Sequence, residues 1–173
     1  MPLIKTYEKE EATGELAELY EQIITLRGSV GDNAKLFSIS TELLKQQMEF
    51  IKFYMNHKTL SMQLLAAVRI MVSNTQSCKF CVDFNTGMLV NMFNWTLDQV
   101  DAMKQDVTKA NLEEKEIKLL EFVLKSVQDA HSVEKKDIES LVELGWSEQD
   151  IFEAVNHATR MLSTDIVFNT FKI

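Results

Sequence analysis

The sequence predicts an all-α fold, and three observations carry that prediction. Turn-forming residues are scarce, with five Gly and one Pro in 173 residues against roughly 12% in average usage, too few to close a sandwich, a barrel or a doubly wound sheet. Apolar residues recur at spacings of three and four along most of the chain, the period of a helix face. Side chains suited to capping helix N-termini precede several of those runs. At this length one domain over residues 1–173 is expected, large enough to bury about 70% of the surface of the unfolded chain.

A first helix is predicted over Glu15–Arg27, with Leu16, Leu19, Tyr20, Ile23 and Ile24 on one face. It stops at Gly28-Ser29-Val30-Gly31-Asp32-Asn33, the one stretch that reads plainly as a loop. A second helix follows over Thr41–Met55, capped by Ser40, with Leu43, Leu44, Met48, Ile51 and Met55 inward. Asn56-His57-Lys58 breaks the pattern. Residues from Ser61 to Ser73 are apolar on most sides, as in a helix covered by its neighbours, so this helix is expected at the centre.

After the turn Asn74-Thr75-Gln76, a helix starting near Ser77 sets Cys78, Cys81, Val82, Asn85, Met88, Leu89 and Met92 on one face. Thr96 with Gln99 forms a capping-box signature for the next helix, and Asn111 with Glu114 resembles another. The last two helices are predicted over Val133–Leu144, stopped by Gly145, and Glu148–Leu162, capped by Ser147. Asn94-Trp95-Thr96-Leu97-Asp98-Gln99-Val100 is echoed by Gly145-Trp146-Ser147-Glu148-Gln149-Asp150-Ile151 at an offset of 51. This suggests a three-helix unit occurring twice, over 60–103 and 112–155, in one bundle of pseudo-twofold character preceded by an N-terminal arm of two helices.

Charge narrows the function. With 18 Lys+Arg against 26 Asp+Glu the net charge is −8, opposite to the footprint of a phosphate-backbone binder, so nucleic acid is not an expected partner. No apolar run approaches the roughly 18 residues needed to span a bilayer, so membrane insertion is not expected either. The first ten residues hold no signal-peptide stretch and are acidic where a transit peptide avoids acids, which points to the cytoplasm. In that reducing compartment, two cysteines three positions apart suit redox chemistry or metal binding better than a structural staple.

Ser77-Cys78-Lys79-Phe80-Cys81 opens a helix. The unpaired N–H groups and dipole at a helix start favour a thiolate, so the first thiol is expected to be activated. A three-residue offset brings two sulfurs close enough to bond, so that one attacks an oxidant and the other resolves the product. Lys79 points off the cysteine face and reads as a solvated lysine. Asp83, two positions past Cys81, falls on the opposite face.

Val72-Ser73, four residues, then Cys78-x-x-Cys81 entering an apolar helix that ends at Trp95-Thr96 resembles the alkylhydroperoxidase D and carboxymuconolactone decarboxylase family, in its peroxidase-related branch. The stretch from Tyr7-Glu8 to Leu19-Tyr20 and that from Ser132 to Ile151 are similar to the same branch, so the resemblance covers most of the chain. It implies an alkylhydroperoxidase D-like helical bundle, a homo-oligomer of two, three or six subunits, and reduction of hydroperoxides by the two thiols without a bound cofactor. Electrons would come from a lipoyl-bearing or thioredoxin-like partner. The family's cysteines fall on Cys78 and Cys81. Its proton-relay glutamate falls on Ala66, which cannot move a proton, and its histidine falls on Asn85, which can hydrogen-bond a sulfur but does not titrate.

Decarboxylase chemistry has no candidate residues. A zinc site would need a second Cys-x-x-Cys or a His-x-x-x-His, and the three histidines are scattered. His57, in a turn, and His131, past a helix end, read as capping residues. His157 shares a helix face with Ala154, Ala158 and Met161; it reads as a buried, hydrogen-bonded residue, with a substitute base near the cysteines as the sharper alternative. Met88, Met92 and Phe93 read as core, or as an apolar path for a lipid-like peroxide. The leading expectation is a thiol-dependent peroxidase acting on organic hydroperoxides; the competing one is a redox-sensing oligomer without turnover.

Overall fold

The computed structural model describes residues 2–173, and these form nine α-helices with no strand among them. They divide into two compact units, residues 2–56 with 167–173, and His57–Ile166. In the first unit, α1 (Glu15–Arg27), α2 (Asp32–Phe37) and α3 (Thr41–Met55) enclose a core of Leu16, Leu19, Tyr20, Ile23, Ala34, Leu44 and Met48. The Tyr20 hydroxyl donates to the Tyr7 carbonyl at 2.7 Å, fixing the leading segment on α1. Gly28 ends α1 with φ +82, the left-handed turn that an unbranched backbone adopts freely.

Two expectations for this unit need correction. Asp32 and Asn33 do not belong to a loop but open α2, whose six residues are too few to show a period. The arm therefore carries three helices rather than two. In α3 the buried residues are Leu44, Met48 and Tyr54, while Leu43 and Met55 are exposed. The covered stripe is narrower than the apolar pattern, and single apolar side chains on its flanks are ordinary surface.

In the second unit α4 (Met62–Thr75) is the central rod, burying Leu64, Leu65, Ala66, Ala67, Val68, Ile70, Val72 and Ser73. The Ser61 hydroxyl accepts from the Leu64 N–H at 3.1 Å to start it, and donates to Glu116 Oε1. α5 (Lys79–Phe93) and α7 (Glu114–Gln128) pack on this rod. α6 (Leu97–Gln105) begins at the Thr96/Gln99 capping box. The N-cap of α7 is Glu113, boxed with Glu116, rather than Asn111; the Glu116 carboxylate reaches back to accept from the Glu113 N–H at 3.3 Å.

α8 (Lys135–Glu143) is capped by Glu134 and followed by Gly145 at φ +94. α9 runs from Glu148 to Phe171, nine residues beyond the predicted end at Leu162. The tryptophans occupy matching places, each indole N–H reaching the start of a long helix: Trp95 donates to Gln63 Oε1 at 2.8 Å and Trp146 to the Lys115 carbonyl at 3.0 Å.

Candidate functional site: a buried dithiol beside a carboxylate

The site sits where the chain reverses between α4 and α5. Ser77 takes φ +54, a left-handed conformation unusual for a side-chain-bearing residue. This turn lets the Cys78 N–H return to the Ser73 carbonyl at 3.0 Å. Cys78 becomes the N-cap of α5, and Cys81 lies one turn in. The two sulfurs stand 2.6 Å apart, and the residues are only 1% and 2% exposed. Both thiols are free. At this separation one sulfur is within reach of the other, as disulfide exchange requires, and the two cysteines with Asp165 also form a group of metal-ligating type.

The third member is Asp165 on α9, fully buried. One of its carboxylate oxygens and the two sulfurs lie within 4.8 Å of one another. Oδ1 accepts from the Ser73 hydroxyl at 2.9 Å; Oδ2 has no hydrogen-bond partner among the described residues. Burial pushes the Asp165 carboxyl above the usual carboxylate range, opposed by the Cys81 thiol, the Ser73 hydroxyl and the Cys78 thiol beside it. Sequence reasoning missed this residue because it ended the helix at Leu162. The available signal was an acid four residues past Met161, on the same apolar face as His157 and Ala158.

The thiols themselves overturn one expectation. Burial pushes the Cys78 thiol up, although the Cys81 thiol and backbone amide pull the other way. Cys81 is driven much further up, by burial first and then by Cys78 and Asp165. Activation by the helix start is therefore outweighed by loss of water, because a buried thiolate forfeits its hydration and one helix end does not replace it.

Asn85 is buried in the position of the family's histidine, and its side-chain hydrogen bonds go elsewhere than to a sulfur. Its Nδ2 donates to the Cys81 carbonyl at 2.8 Å, and its Oδ1 accepts from Arg69 Nε at 2.5 Å. Arg69 Nη1 also donates to His157 Nε2 at 3.0 Å. Burial, reinforced by the Arg69 charge, holds His157 well below the ordinary histidine range. His157 is thus a neutral imidazole with its Nε2 lone pair occupied, and the cluster that contains the sulfurs includes Asp165 instead. Ala66 lies in the core. Met92 is 64% exposed and so lies outside the core.

The remaining polar residues have structural work. His57 Nδ1 accepts from the Leu60 N–H at 3.0 Å, which leaves the ring proton on Nε2 to donate to Glu153 Oε2 at 2.7 Å. Asp150 accepts from Ser147 and Thr59 hydroxyls. Lys79 and Asp83 pair on the surface. No helix among the described residues is long and apolar enough to cross a membrane.

No family model and no curated protein matches the sequence. Solved structures do match the fold. An uncharacterized peroxidase-related protein from Silicibacter sp. TM1040 superposes with a TM-score of 0.82 at 18% identity, over 99% of this chain and 94% of that one. An alkylhydroperoxidase AhpD core protein from Ralstonia eutropha JMP134, also described as peroxidase-related, gives a TM-score of 0.86 at 16% identity, over 98% and 90%. The chain therefore has the all-helical fold of the alkylhydroperoxidase D-like, peroxidase-related proteins.

Proposed function

We propose that this chain is a thiol-dependent hydroperoxidase that cycles Cys78 and Cys81 between dithiol and disulfide, reducing an organic hydroperoxide to its alcohol. The observation that carries the reading is the 2.6 Å approach of the two sulfurs at the start of α5. A pair so close can resolve an oxidised sulfur within one turn of helix. Cys78 is taken as the attacking sulfur: burial and Asp165 raise both thiols, but at Cys78 the Cys81 thiol and backbone amide partly offset this, whereas at Cys81 the neighbouring Cys78 raises it further. The working form is a cytoplasmic homo-oligomer, re-reduced by a lipoyl-bearing or thioredoxin-like dithiol.

The test is consumption of cumene hydroperoxide with dithiothreitol by wild type, Cys78→Ser and Cys81→Ser. Wild type is expected to turn over, with at least a 100-fold loss in each variant. Equal rates in all three overturn the reading, as does a stoichiometric zinc ion released when the thiols are alkylated. The burial of both thiols favours a second reading, a redox sensor without turnover. That reading gains if wild type is inert toward peroxide yet changes oligomeric state on disulfide formation.

A further inference from the structure

We propose that Asp165 is the proton-transfer residue of the dithiol, taking the proton of each thiol in turn and delivering it to the departing oxygen. This rests on the dithiol reading above, and it supplies a group that Ala66 and Asn85 cannot. The geometry is that of a carboxylate enclosed with two S–H groups, all within 4.8 Å. Its two oxygens have different tasks. Oδ1 is held by the Ser73 hydroxyl, which fixes the carboxylate plane against α4. Oδ2 accepts no hydrogen bond from the described residues, which leaves one oxygen open to take a proton on a carboxylate that lies, through one of its oxygens, within 4.8 Å of both sulfurs. With the site buried, bulk water is not at hand to take the proton, and a thiol without a local base would remain unreactive.

The cycle balances. The carboxylate takes the Cys78 proton, and the thiolate's electron pair attacks the terminal peroxide oxygen. The O–O bond breaks, and the alkoxide leaves with the proton from Asp165 as an alcohol, leaving Cys78 as a sulfenic acid. Asp165 then takes the Cys81 proton; that thiolate attacks the Cys78 sulfur, the S–S bond forms, and hydroxide departs with the proton as water. Two thiols and one hydroperoxide become one disulfide, one alcohol and one water. Asp165 finishes as the carboxylate with which it began.

A spectator charge and a relay predict opposite signs. A fixed negative charge beside the thiols opposes their ionisation, so removing it would speed oxidation. Removing a relay slows it. Reduced wild type, Asp165→Asn and Asp165→Glu are each oxidised by cumene hydroperoxide and, separately, by diamide, which accepts two electrons and two protons to give the hydrazine. Disulfide formation is followed by acid-quenched thiol counting from pH 5 to 9.

We expect Asp165→Asn to be at least 10-fold slower with both oxidants at pH 7 and to lose the acid limb of the pH profile, with Asp165→Glu restoring part of the rate. An Asp165→Asn rate equal to or faster than wild type with diamide overturns the relay. Wild type inert to the peroxide but oxidised by diamide, with Asp165→Asn still slower, overturns the peroxidase reading and keeps the relay. Should Asp165→Asn not fold, Ser73→Ala decides. Loss of the hydroxyl that stabilises the carboxylate must move the acid limb to higher pH; an unmoved limb overturns the proposal.

Discussion

The Ser73 hydroxyl donates to the Asp165 carboxylate at 2.9 Å, joining side chains 92 residues apart in a fully buried setting. It ties the rod that leads into the dithiol to the helix that delivers the carboxylate. Burial still dominates, and the carboxyl remains above its usual range.

That balance sets a stability expectation. A folded carboxyl titrating above its unfolded value stabilises the native state below the unfolded pKa, near 4, and this contribution is lost as pH rises through the folded pKa. Above the unfolded pKa the buried carboxyl is a net burden on stability. Asp165→Asn keeps an acceptor for Ser73 and removes the charge, so its Tm at pH 7 is expected to exceed that of wild type by about 2–4 °C, equivalent to about 1 kcal/mol in a chain of this size. Differential scanning calorimetry at pH 4 and pH 7 checks it, the gap being smaller at pH 4.

The thiols act in the alkaline range. Both hold their protons to higher pH in the folded chain than in the unfolded one, so above the ordinary thiol pKa, about 8.5, unfolding releases protons and stability declines. The urea midpoint of the reduced protein is expected to fall between pH 8 and 10. A Cys78→Ser/Cys81→Ser double variant is expected to lose that thiol-linked part of the decline.

His157 works in the acid range. Its folded pKa lies below the unfolded value of about 6.5, so its contribution is complete above that value and is lost as pH falls through it. His157→Ala is expected to cost about 1–3 kcal/mol at pH 7, by removing the imidazole to which Arg69 Nη1 donates in a covered site. It should leave the diamide oxidation rate of the thiols within about twofold, which would separate this imidazole from the reacting sulfurs.

Ser61 carries two duties, capping α4 and donating to Glu116. Ser61→Ala is expected to destabilise the protein by about 1–2 kcal/mol, read as a lower urea midpoint. Thiol chemistry at the far end of the same helix should not change.

Features governed by a few adjacent residues were legible in the sequence. Gly28, Ser40 and Thr96 set the bounds of α1, α3 and α6 by local hydrogen bonds, and the dithiol is a single helical turn. Features that need the folded neighbourhood were not. α2 is shorter than two turns, so its pattern never accumulates. The final stretch of α9 opens on the polar run Ser163-Thr164-Asp165 and carries Asn169-Thr170 after three apolar residues, which hides its period from a one-dimensional reading. The helix-start argument at Cys78 considered one electrostatic influence, while burial of the sulfur, which reversed the outcome, and the Asp165 carboxylate from a helix far along the chain belong to the folded neighbourhood.

The near-complete enclosure of both sulfurs has a kinetic consequence. Local opening around the sulfurs is then expected to precede their reaction with an oxidant, so that the observed rate is the opening equilibrium multiplied by the chemistry of the opened form. Small amounts of urea, well short of the unfolding transition, should then accelerate alkylation of the reduced protein by iodoacetamide. Local opening, together with nucleophile strength, is then expected to set how fast a thiol reagent reaches the pair.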